Sequence, residues 1–359
     1  MSRAYNFSAG PAALPEPVLL RAREELLEWQ GERASVMEVS HRGKAFVAMA
    51  ERAEQDLREL LAVPSNYQVL FLQGGATQHF AQIPMNFAAG AAADYVITGH
   101  WGEKAVKEAA TVTRVQTAAS GAASNYTGIP AMAEWRRDPN AAYLHITPNE
   151  TIAGVEMHEF PAPGSVPLVA DMSSTLLSRP LDISRFGMVY AGAQKNIGPS
   201  GLVVLLIRED LLARCPKSLP QIFNYQAHAK EKSLLNTPPT FSWYLAGLVF
   251  QWLKDQGGLQ AIGAVNRNKA ERLYGYIDGS GFYRNPVDKA ARSWMNVPFR
   301  LADDALDAAF LEQSAAAGLM ALKGHRSVGG MRASIYNALP LAGVEALIDF
   351  MQDFARRHG

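Results

Sequence analysis

The sequence predicts an α/β protein whose largely parallel sheet is covered on both faces by helices, followed by a smaller α+β unit. Three observations support this prediction. The chain has 359 residues, enough for one large unit with a satellite. Short β-rich runs alternate with helical ones up to residue 207, which is typical of parallel strands joined by crossover helices. After Gly279 the order changes to strand, helix, strand, helix.

The individual elements follow from hydrophobic periodicity, taken in chain order. Apolar residues at helical spacing predict two amphipathic helices, over residues 16–29 and 45–61. Six β-rich runs then predict strands, over residues 68–72, 94–98, 143–146, 167–170, 188–190 and 202–207. The rest of the chain predicts helices over 243–253 and 261–277, a strand over 294–300, a helix over 305–316, a strand over 330–335 and a helix over 343–356. We therefore expect a large domain over residues 16–265 and a small domain built from residues 1–15 and 266–359.

Composition and charge argue against several classes of protein. Lys and Arg together number 34, as do Asp and Glu, and a net charge of zero argues against nucleic-acid binding and against a polybasic membrane surface. No apolar run reaches the roughly 18–20 residues of a membrane span. The single cysteine, Cys215, excludes an internal disulfide and multi-thiolate sites, and the histidines lack metal-ligand spacing, so we expect no metal. Residues 1–15 lack a signal-peptide pattern, so we expect a cytoplasmic protein. Because the net charge disfavours nucleic acid and membrane surfaces, we expect a small-molecule ligand.

Four predicted strands end in residues suited to a ligand site, and ligands of open α/β sheets bind at such strand ends. The run QGGATQ at residues 73–78 opens a helix, where close backbone approach and free N–H groups favour an anion. Asp171 closes an apolar strand, and a buried carboxylate there requires a cationic partner. Lys195 lies among small residues between two apolar strands, so desolvation is expected to lower its pKa. Trp101 stands between glycines after the strand at 94–98.

Each of these features also has an ordinary structural explanation. A Gly-Gly pair is often a plain turn, an interior lysine is often half of a structural ion pair, and a tryptophan is often part of the core. Together, however, a buried aspartate, an interior lysine, an aromatic plate and an anion-binding helix start are the parts needed to hold pyridoxal phosphate. The glycine runs match neither G-x-x-x-x-G-K-[ST] nor G-x-G-x-x-G, so ATP and dinucleotide sites have little sequence support.

Longer stretches of the sequence resemble one enzyme family. The block at residues 169–202 reads VADMSSTLLSRPLDISRFGMVYAGAQKNIGPSGL. Further motifs are NFSAGPA at 6–12, SVMEVSHRG at 35–43, KGHR at 323–326 and GMRAS at 330–334. These motifs, which span essentially the whole chain, closely resemble the phosphoserine aminotransferases, a family of class V aminotransferases among the fold-type I pyridoxal-phosphate enzymes. The resemblance implies a large domain with a mainly parallel seven-stranded sheet.

The resemblance also implies the residues of a cofactor site. Lys195 is implied to bond covalently to pyridoxal phosphate and to move the proton of the substrate Cα. Asp171 is implied to pair with the ring nitrogen, Trp101 to stack on the ring, and Thr151 to hydrogen-bond the ring hydroxyl. The cofactor phosphate is implied to be held by Ala76, Thr77 and Gln194, with Asn236 and Thr237 supplied by the neighbouring subunit. The implied assembly is a homodimer with shared active sites.

The substrates implied by the resemblance are glutamate and a phosphorylated keto acid. Arg332 is implied to pair with the α-carboxylate that the amino-acid substrates share. The distal carboxylate or phosphate is implied to meet His41, Arg42, His325 and Arg326, part of them across the dimer interface. The implied reaction is a ping-pong transamination in which glutamate converts 3-phosphohydroxypyruvate to O-phosphoserine, for serine synthesis. The same pocket could take the one-carbon-longer phosphorylated keto acid of pyridoxine synthesis.

Three alternative readings remain at this point. A cysteine desulfurase of the same class needs a loop cysteine as nucleophile, and Cys215 lies in no such motif. A glyoxylate-type aminotransferase would not need two His–Arg pairs. A non-enzymatic protein that keeps the fold is disfavoured because Lys195, Asp171 and Arg332 are all present.

Some positions lie outside the family pattern. Ala9 stands where some relatives have serine, and Thr77 stands where some have arginine, which removes a hydroxyl and a cation near the substrate. The histidines outside the two His–Arg pairs are predicted to be structural or on the surface: His79, His100, His145, His158, His228 and His358.

Overall fold

The computed structural model describes residues 3–88 and 90–359, which form one large sheet, three small ones and ten α-helices. The strands are β1 Tyr5–Asn6, β2 Tyr67–Gly74, β3 Ala93–Ile97, β4 Val115–Ser120, β5 Leu144–Ile146, β6 Asn149–Glu150, β7 Val155–Glu156, β8 Leu168–Asp171, β9 Met188–Gly192, β10 Gly201–Arg208, β11 Tyr283–Arg284, β12 Asn296–Leu301, β13 Leu319–Met320 and β14 Met331–Ser334. The helices are α1 Glu16–Glu24, α2 Lys44–Leu61, α3 Ala76–Phe87, α4 His100–Ala109, α5 Glu209–Leu212, α6 Tyr225–Lys230, α7 Thr240–Asp255, α8 Gly258–Gly279, α9 Asp307–Ala316 and α10 Leu341–His358.

The large sheet has seven strands in the order β2-β10-β9-β8-β5-β3-β4. Only β10 runs antiparallel to its neighbours, so β2, β3, β5, β8 and β9 all end at the same edge of the sheet. The predicted fold class, an α/β protein with a mainly parallel seven-stranded sheet, is confirmed. This edge is where the predicted ligand residues follow their strands.

Helices cover both faces of the sheet, because the side chains of its strands are apolar on both sides. In β10, Val204 and Leu206 pack into one core, and Val203 and Leu205 pack into the other, as the period of two in a strand requires. Helices α2 and α7 contribute to the first core, and α3 and α4 contribute to the second. A sheet buried in this way is typical of parallel α/β folds.

A third core lies around the antiparallel sheet β11-β12-β14 and the helices α8, α9 and α10. The N-terminal segment belongs to this core, since Phe7 is fully buried there and β1 pairs in parallel with β13. Helix α8 runs through the expected domain boundary at residue 265: Leu259 belongs to the first core and Leu273 to the third. The division into domains at that residue stays a prediction.

The structure corrects several predicted elements. The helix expected over 16–29 ends at Glu24, and the chain then turns so that Trp29 is fully buried outside the helix. The edge strand β4 and the helix α4 were not predicted. The last two helices differ from their predicted bounds by two residues or fewer at each end.

Within residues 3–88 and 90–359, no helix combines the length and the apolar character needed to cross a membrane. In the same residues, no group of three or more His, Cys, Asp or Glu side chains is arranged to hold a metal ion.

Candidate active site

A cavity of about 330 Å³ lies at the carboxyl edge of the large sheet, and the N-terminal segment and β14 complete its wall. Nine of the residues predicted for the site line this cavity: Ala76, Thr77, Trp101, Thr151, Asp171, Gln194, Lys195, His325 and Arg332. The topology explains this grouping, because most of the lining residues follow parallel strands of the large sheet that end at one edge.

Lys195 lies in the turn after β9, where it contributes its amine to the cavity. Its Nζ donates a hydrogen bond to Oγ1 of Thr151 at 2.6 Å and lies 5.9 Å from the centre of the Trp101 ring. Burial lowers the pKa of Lys195 to about 8, although the nearby carboxylate of Asp171 opposes this change. Within the described part of the chain Lys195 forms no ion pair, so the structural ion pair that the sequence left open is not found. An amine of this kind can be neutral near physiological pH.

Asp171 ends β8 with a buried carboxylate. Its Oδ1 accepts hydrogen bonds from the backbone N–H of Ser173 at 2.9 Å and from the Ser173 hydroxyl at 2.6 Å. Burial raises the pKa of Asp171, and the bonds from Ser173 oppose that rise. A cationic side chain was expected beside this carboxylate, but no Lys, Arg or His of residues 3–88 and 90–359 forms an ion pair with it. The carboxylate is therefore free to pair with a cationic group of a ligand.

Two helices begin at the cavity. Helix α3 starts at Ala76 after Gly75, which has no side chain to cap the first N–H groups, and Ala76 and Thr77 both line the cavity. Helix α4 starts one residue before Trp101, whose ring forms part of the wall. The first helix start provides uncapped N–H donors for an anion, as the run at 73–78 predicted.

One end of the cavity holds an arginine and two histidines. Arg332 extends from β14, and its Nη1 donates a weak hydrogen bond to the carbonyl oxygen of Thr151 at 3.4 Å. The imidazole ring of His325 lies 5.9 Å from that of His100. Burial lowers the pKa of His325, and the positive charges of Arg332, His100 and Arg326 lower it further. Arg332 is the permanent cation here, and an anionic ligand beside the two imidazoles would favour their protonated forms.

The structure does not bring every predicted residue to the cavity. Those absent from the wall are His41, Arg42, Asn236, Thr237 and Arg326. Asn236 instead donates a hydrogen bond from Nδ2 to Oε1 of Gln73 at 2.8 Å, and Thr237 and Arg42 are exposed. Arg326 is exposed next to His325.

The structure also identifies residues that the sequence did not. His100 was expected to be structural or on the surface; it is exposed, and it also lines the cavity beside His325, which the sequence did not indicate. His79 and His145, by contrast, are fully buried, and burial lowers the pKa of each to about 3. Glu150 was also missed, because its contacts join segments that only the folded chain brings together.

Cys215 is buried behind the sheet in the second core, away from the cavity. Burial raises the pKa of its thiol to about 11, so the thiolate is scarce near neutral pH. This environment does not suit the nucleophile of a desulfurase.

Comparisons with known proteins agree on one family. Residues 4–347 match the family described as aminotransferase class-V. The chain is 59% identical over 357 residues to the phosphoserine aminotransferase of Hahella chejuensis, with 99% of each chain covered. It is similar to the solved phosphoserine aminotransferase of Bacillus circulans subsp. alkalophilus, with a TM-score of 0.98, 52% identity and 99% of each chain covered. For the PLP-bound phosphoserine aminotransferase of Trichomonas vaginalis, the TM-score is 0.93 and the identity 41%, with 98% of this chain and 100% of that chain covered.

The cavity fits pyridoxal phosphate by the chemistry of its walls. A lysine with a lowered pKa can condense with an aldehyde, and a carboxylate without a cationic partner among the described residues can hold a protonated ring nitrogen. The uncapped start of α3 suits a phosphate, and the flat ring of Trp101 suits a planar cofactor. The chain belongs to the phosphoserine aminotransferase family of class V aminotransferases, which are pyridoxal-phosphate-dependent enzymes of fold type I.

Proposed function

We propose that the protein is a phosphoserine:2-oxoglutarate aminotransferase that acts reversibly in serine biosynthesis. The observation that supports this most is the pairing, in one cavity, of a lysine whose pKa is lowered to about 8 with an anion-binding end formed by the guanidinium of Arg332 and the imidazoles of His325 and His100. The first feature suits amino-group transfer and the second suits a substrate with two anionic groups. We place this reaction in the cytoplasm, since the only cysteine of the sequence is unpaired.

The chemistry of transfer divides between the cofactor and four side chains. Pyridoxal phosphate, when bound, supplies the carbonyl carbon that receives the amino group and a ring that accepts electrons. Lys195 would hold the cofactor through Nζ and then move the proton from the substrate Cα. Thr151 keeps that amine in place through its 2.6 Å hydrogen bond, and Asp171 would hold the proton on the ring nitrogen. Trp101 would fix the plane of the ring.

The cofactor phosphate would be bound by Ala76, Thr77 and Gln194, together with Asn236 and Thr237 of the partner subunit. The first three residues line the cavity. The last two do not line the cavity of their own chain, so this role requires a second copy.

Substrate recognition would depend on the anion-binding end of the cavity. The Arg332 guanidinium would pair with the α-carboxylate that glutamate and phosphoserine share, because its fork of donors matches a carboxylate. His325 and Arg326, with His41 and Arg42 of the partner subunit, would bind the distal carboxylate or phosphate. His100 joins this group because its ring lies beside that of His325. The one-carbon-longer phosphorylated keto acid of pyridoxine synthesis would meet the same groups.

A half-reaction tests the substrate. Phosphoserine added to the holoenzyme without keto acid is expected to convert the visible band to that of the amino form of the cofactor, and serine is expected to leave it unchanged. Arg326→Ala is expected to slow the half-reaction with phosphoserine more than that with glutamate, since a phosphate dianion loses more from a missing cation than a carboxylate does. Conversion by serine at the same rate would remove phosphoserine from the proposal. Equal losses with both substrates would remove Arg326 from the site that binds the distal group. Phosphohydroxythreonine in the same assay tests the longer substrate.

Mixing two inactive variants tests the shared site. Lys195→Ala and Arg42→Ala are each expected to be nearly inactive alone. After unfolding and refolding together, about a quarter of all sites would combine intact Lys195 with intact Arg42, since half of the dimers are mixed and each has one complete site. Recovery of about a quarter of the activity supports the homodimer with shared sites, and no recovery would contradict it.

A further inference from the structure

Glu150 is a buried carboxylate that none of the proposed roles uses. It lies in β6, directly before Thr151, and its side chain is fully buried. Both of its oxygens accept backbone hydrogen bonds from the start of α4. Oε2 accepts one from the N–H of Trp101 at 2.9 Å, and Oε1 accepts one from the N–H of Gly102 at 2.8 Å.

This carboxylate replaces a missing helix cap. Helix α4 begins after Gly99, which has no side chain to accept the first N–H groups. The start of a helix favours negative charge, so the carboxylate is held there by charge as well as by two hydrogen bonds. Gly99 permits this approach, because a Cβ at that position would lie 2.6 Å from the carboxyl carbon of Glu150. Burial raises the pKa of Glu150 to about 7, and the N–H groups of Trp101 and Gly102 oppose that rise.

The residue held by these bonds is Trp101, whose indole ring forms part of the cavity wall. The indole Nε1 has no hydrogen-bond partner in residues 3–88 and 90–359. The side chain is thus not anchored by a hydrogen bond at its polar tip. The ring packs against the second core and edge-on to His100, and the backbone of the first turn of α4 sets where this packing occurs.

The segment that carries Glu150 is itself firmly anchored. Asn149 donates hydrogen bonds from Nδ2 to Oγ of Ser174 and Oδ1 of Asn296, both at 2.8 Å. On the other side of Glu150, Thr151 accepts the 2.6 Å hydrogen bond from Lys195. Residues 149–151 therefore form one anchored segment that contacts both the first turn of α4, through Glu150, and the amine of Lys195, through Thr151.

We propose that Glu150 is a positioning residue for Trp101: by holding the first turn of α4, its carboxylate fixes the indole on the cavity wall near Lys195. The inference rests on the cofactor site of the proposed function and not on the identity of the amino-acid substrate. An unchanged cofactor affinity in the variants would therefore contradict the role of Glu150 but not the proposed substrate. A negative half-reaction with phosphoserine would contradict the proposed substrate but not the role of Glu150.

The test is a double-mutant cycle on the affinity for pyridoxal phosphate, measured with cofactor-free protein by the visible circular dichroism of the bound cofactor. The variants are Glu150→Gln, Trp101→Ala and their combination. Glutamine keeps the shape of the side chain but turns an N–H₂ group toward one backbone N–H, so Glu150→Gln alone is expected to raise Kd at least about tenfold. In the Trp101→Ala background the same change is expected to alter Kd by less than about twofold, because the ring that it would displace is gone.

Glu103→Gln is the matched control, since Glu103 is the same residue type in the first turn of the same helix but is exposed. It is expected to leave Kd and the circular dichroism band unchanged. If Glu150→Gln does not fold, Gly99→Ala takes its place in the cycle, because the added Cβ displaces the carboxylate while leaving its charge.

Three results would overturn the proposal. One is an unchanged Kd in folded Glu150→Gln, and another is an unchanged Kd in Trp101→Ala. The third is a full tenfold effect of Glu150→Gln in the Trp101→Ala background, which would mean that Glu150 acts independently of the ring. The same three results apply to Gly99→Ala where that variant is used.

Discussion

The lowered pKa of Lys195 predicts how fast the cofactor-free protein captures pyridoxal phosphate at each pH. Only a neutral amine attacks an aldehyde. Burial lowers the pKa of this amine from 10.5 to about 8. At pH 7 about a tenth of the Lys195 amines would be neutral, against about 0.03% for an amine with the ordinary value, so the gain is about 300-fold.

Stopped-flow absorbance at saturating pyridoxal phosphate measures this gain. From pH 6 upward the rate of capture is expected to rise about tenfold per pH unit, to a midpoint near pH 8, and then to level off. Nα-acetyl-lysine under the same conditions is the control, because the cofactor's own ionisation affects both reactions and cancels in the ratio of rates. A profile that runs parallel to that of the free amine, with no midpoint near pH 8, would refute the reasoning.

Three further predictions concern stability and reactivity. Lys269 is fully buried and donates hydrogen bonds to three backbone carbonyl oxygens at 2.8–2.9 Å. Lys269→Met is therefore expected to lower the free energy of unfolding in urea by about 3 kcal/mol. An unchanged midpoint of urea unfolding would show that these bonds do not contribute to stability. Gly154 has a φ of +71°, and an added Cβ would overlap the ring of Pro298, so Gly154→Ala is expected to cost more than about 2 kcal/mol. Gly164→Ala, where a Cβ meets nothing within 4 Å, is the control and is expected to leave thermal unfolding unchanged. Cys215 is expected to resist maleimide near neutral pH until urea unfolds the chain, and rapid labelling of the native protein would contradict its burial.

Much of the fold could be predicted because strands that are buried on both faces of a sheet are apolar throughout. The core strands at 188–190 and 202–207 are of this kind, and the structure extends them only slightly, to Met188–Gly192 and Gly201–Arg208. The edge strand Val115–Ser120 escaped prediction because its sequence VQTAAS has neither an apolar run nor regular alternation. The first helix was predicted too long since Trp29 continued the apolar pattern, although its burial comes from a turn and not from helical periodicity.

The site was predictable where a reactive side chain lies at the end of a strand or just after it, as Asp171 and Lys195 do. The ends of parallel strands meet at one edge of the sheet whatever the details of the loops. His100 and Glu150 were not predictable in this way. Nothing in the sequence around His100 indicates that His325 will lie beside it, since residues more than 200 positions apart meet only through the fold. The role of Glu150 depends on contacts across 48 and 49 residues. His41 and Asn236 stay away from the cavity of their own chain, so their predicted roles require a second copy.

The pairing of β1 with β13 bears on the order in which the protein is completed during synthesis. Tyr5 pairs with Leu319, and Ala9, which lines the cavity, accepts a hydrogen bond from the hydroxyl of Tyr336 at 2.9 Å. At about 5–20 residues per second, the ribosome needs roughly 15–60 s to make the partner of a strand that it made first. The seven strands of the large sheet can assemble during that interval. The N-terminal segment that lines the cavity cannot be held in place until β13 and Tyr336 have been synthesised. We therefore expect cofactor loading to begin only when almost the whole chain has left the ribosome.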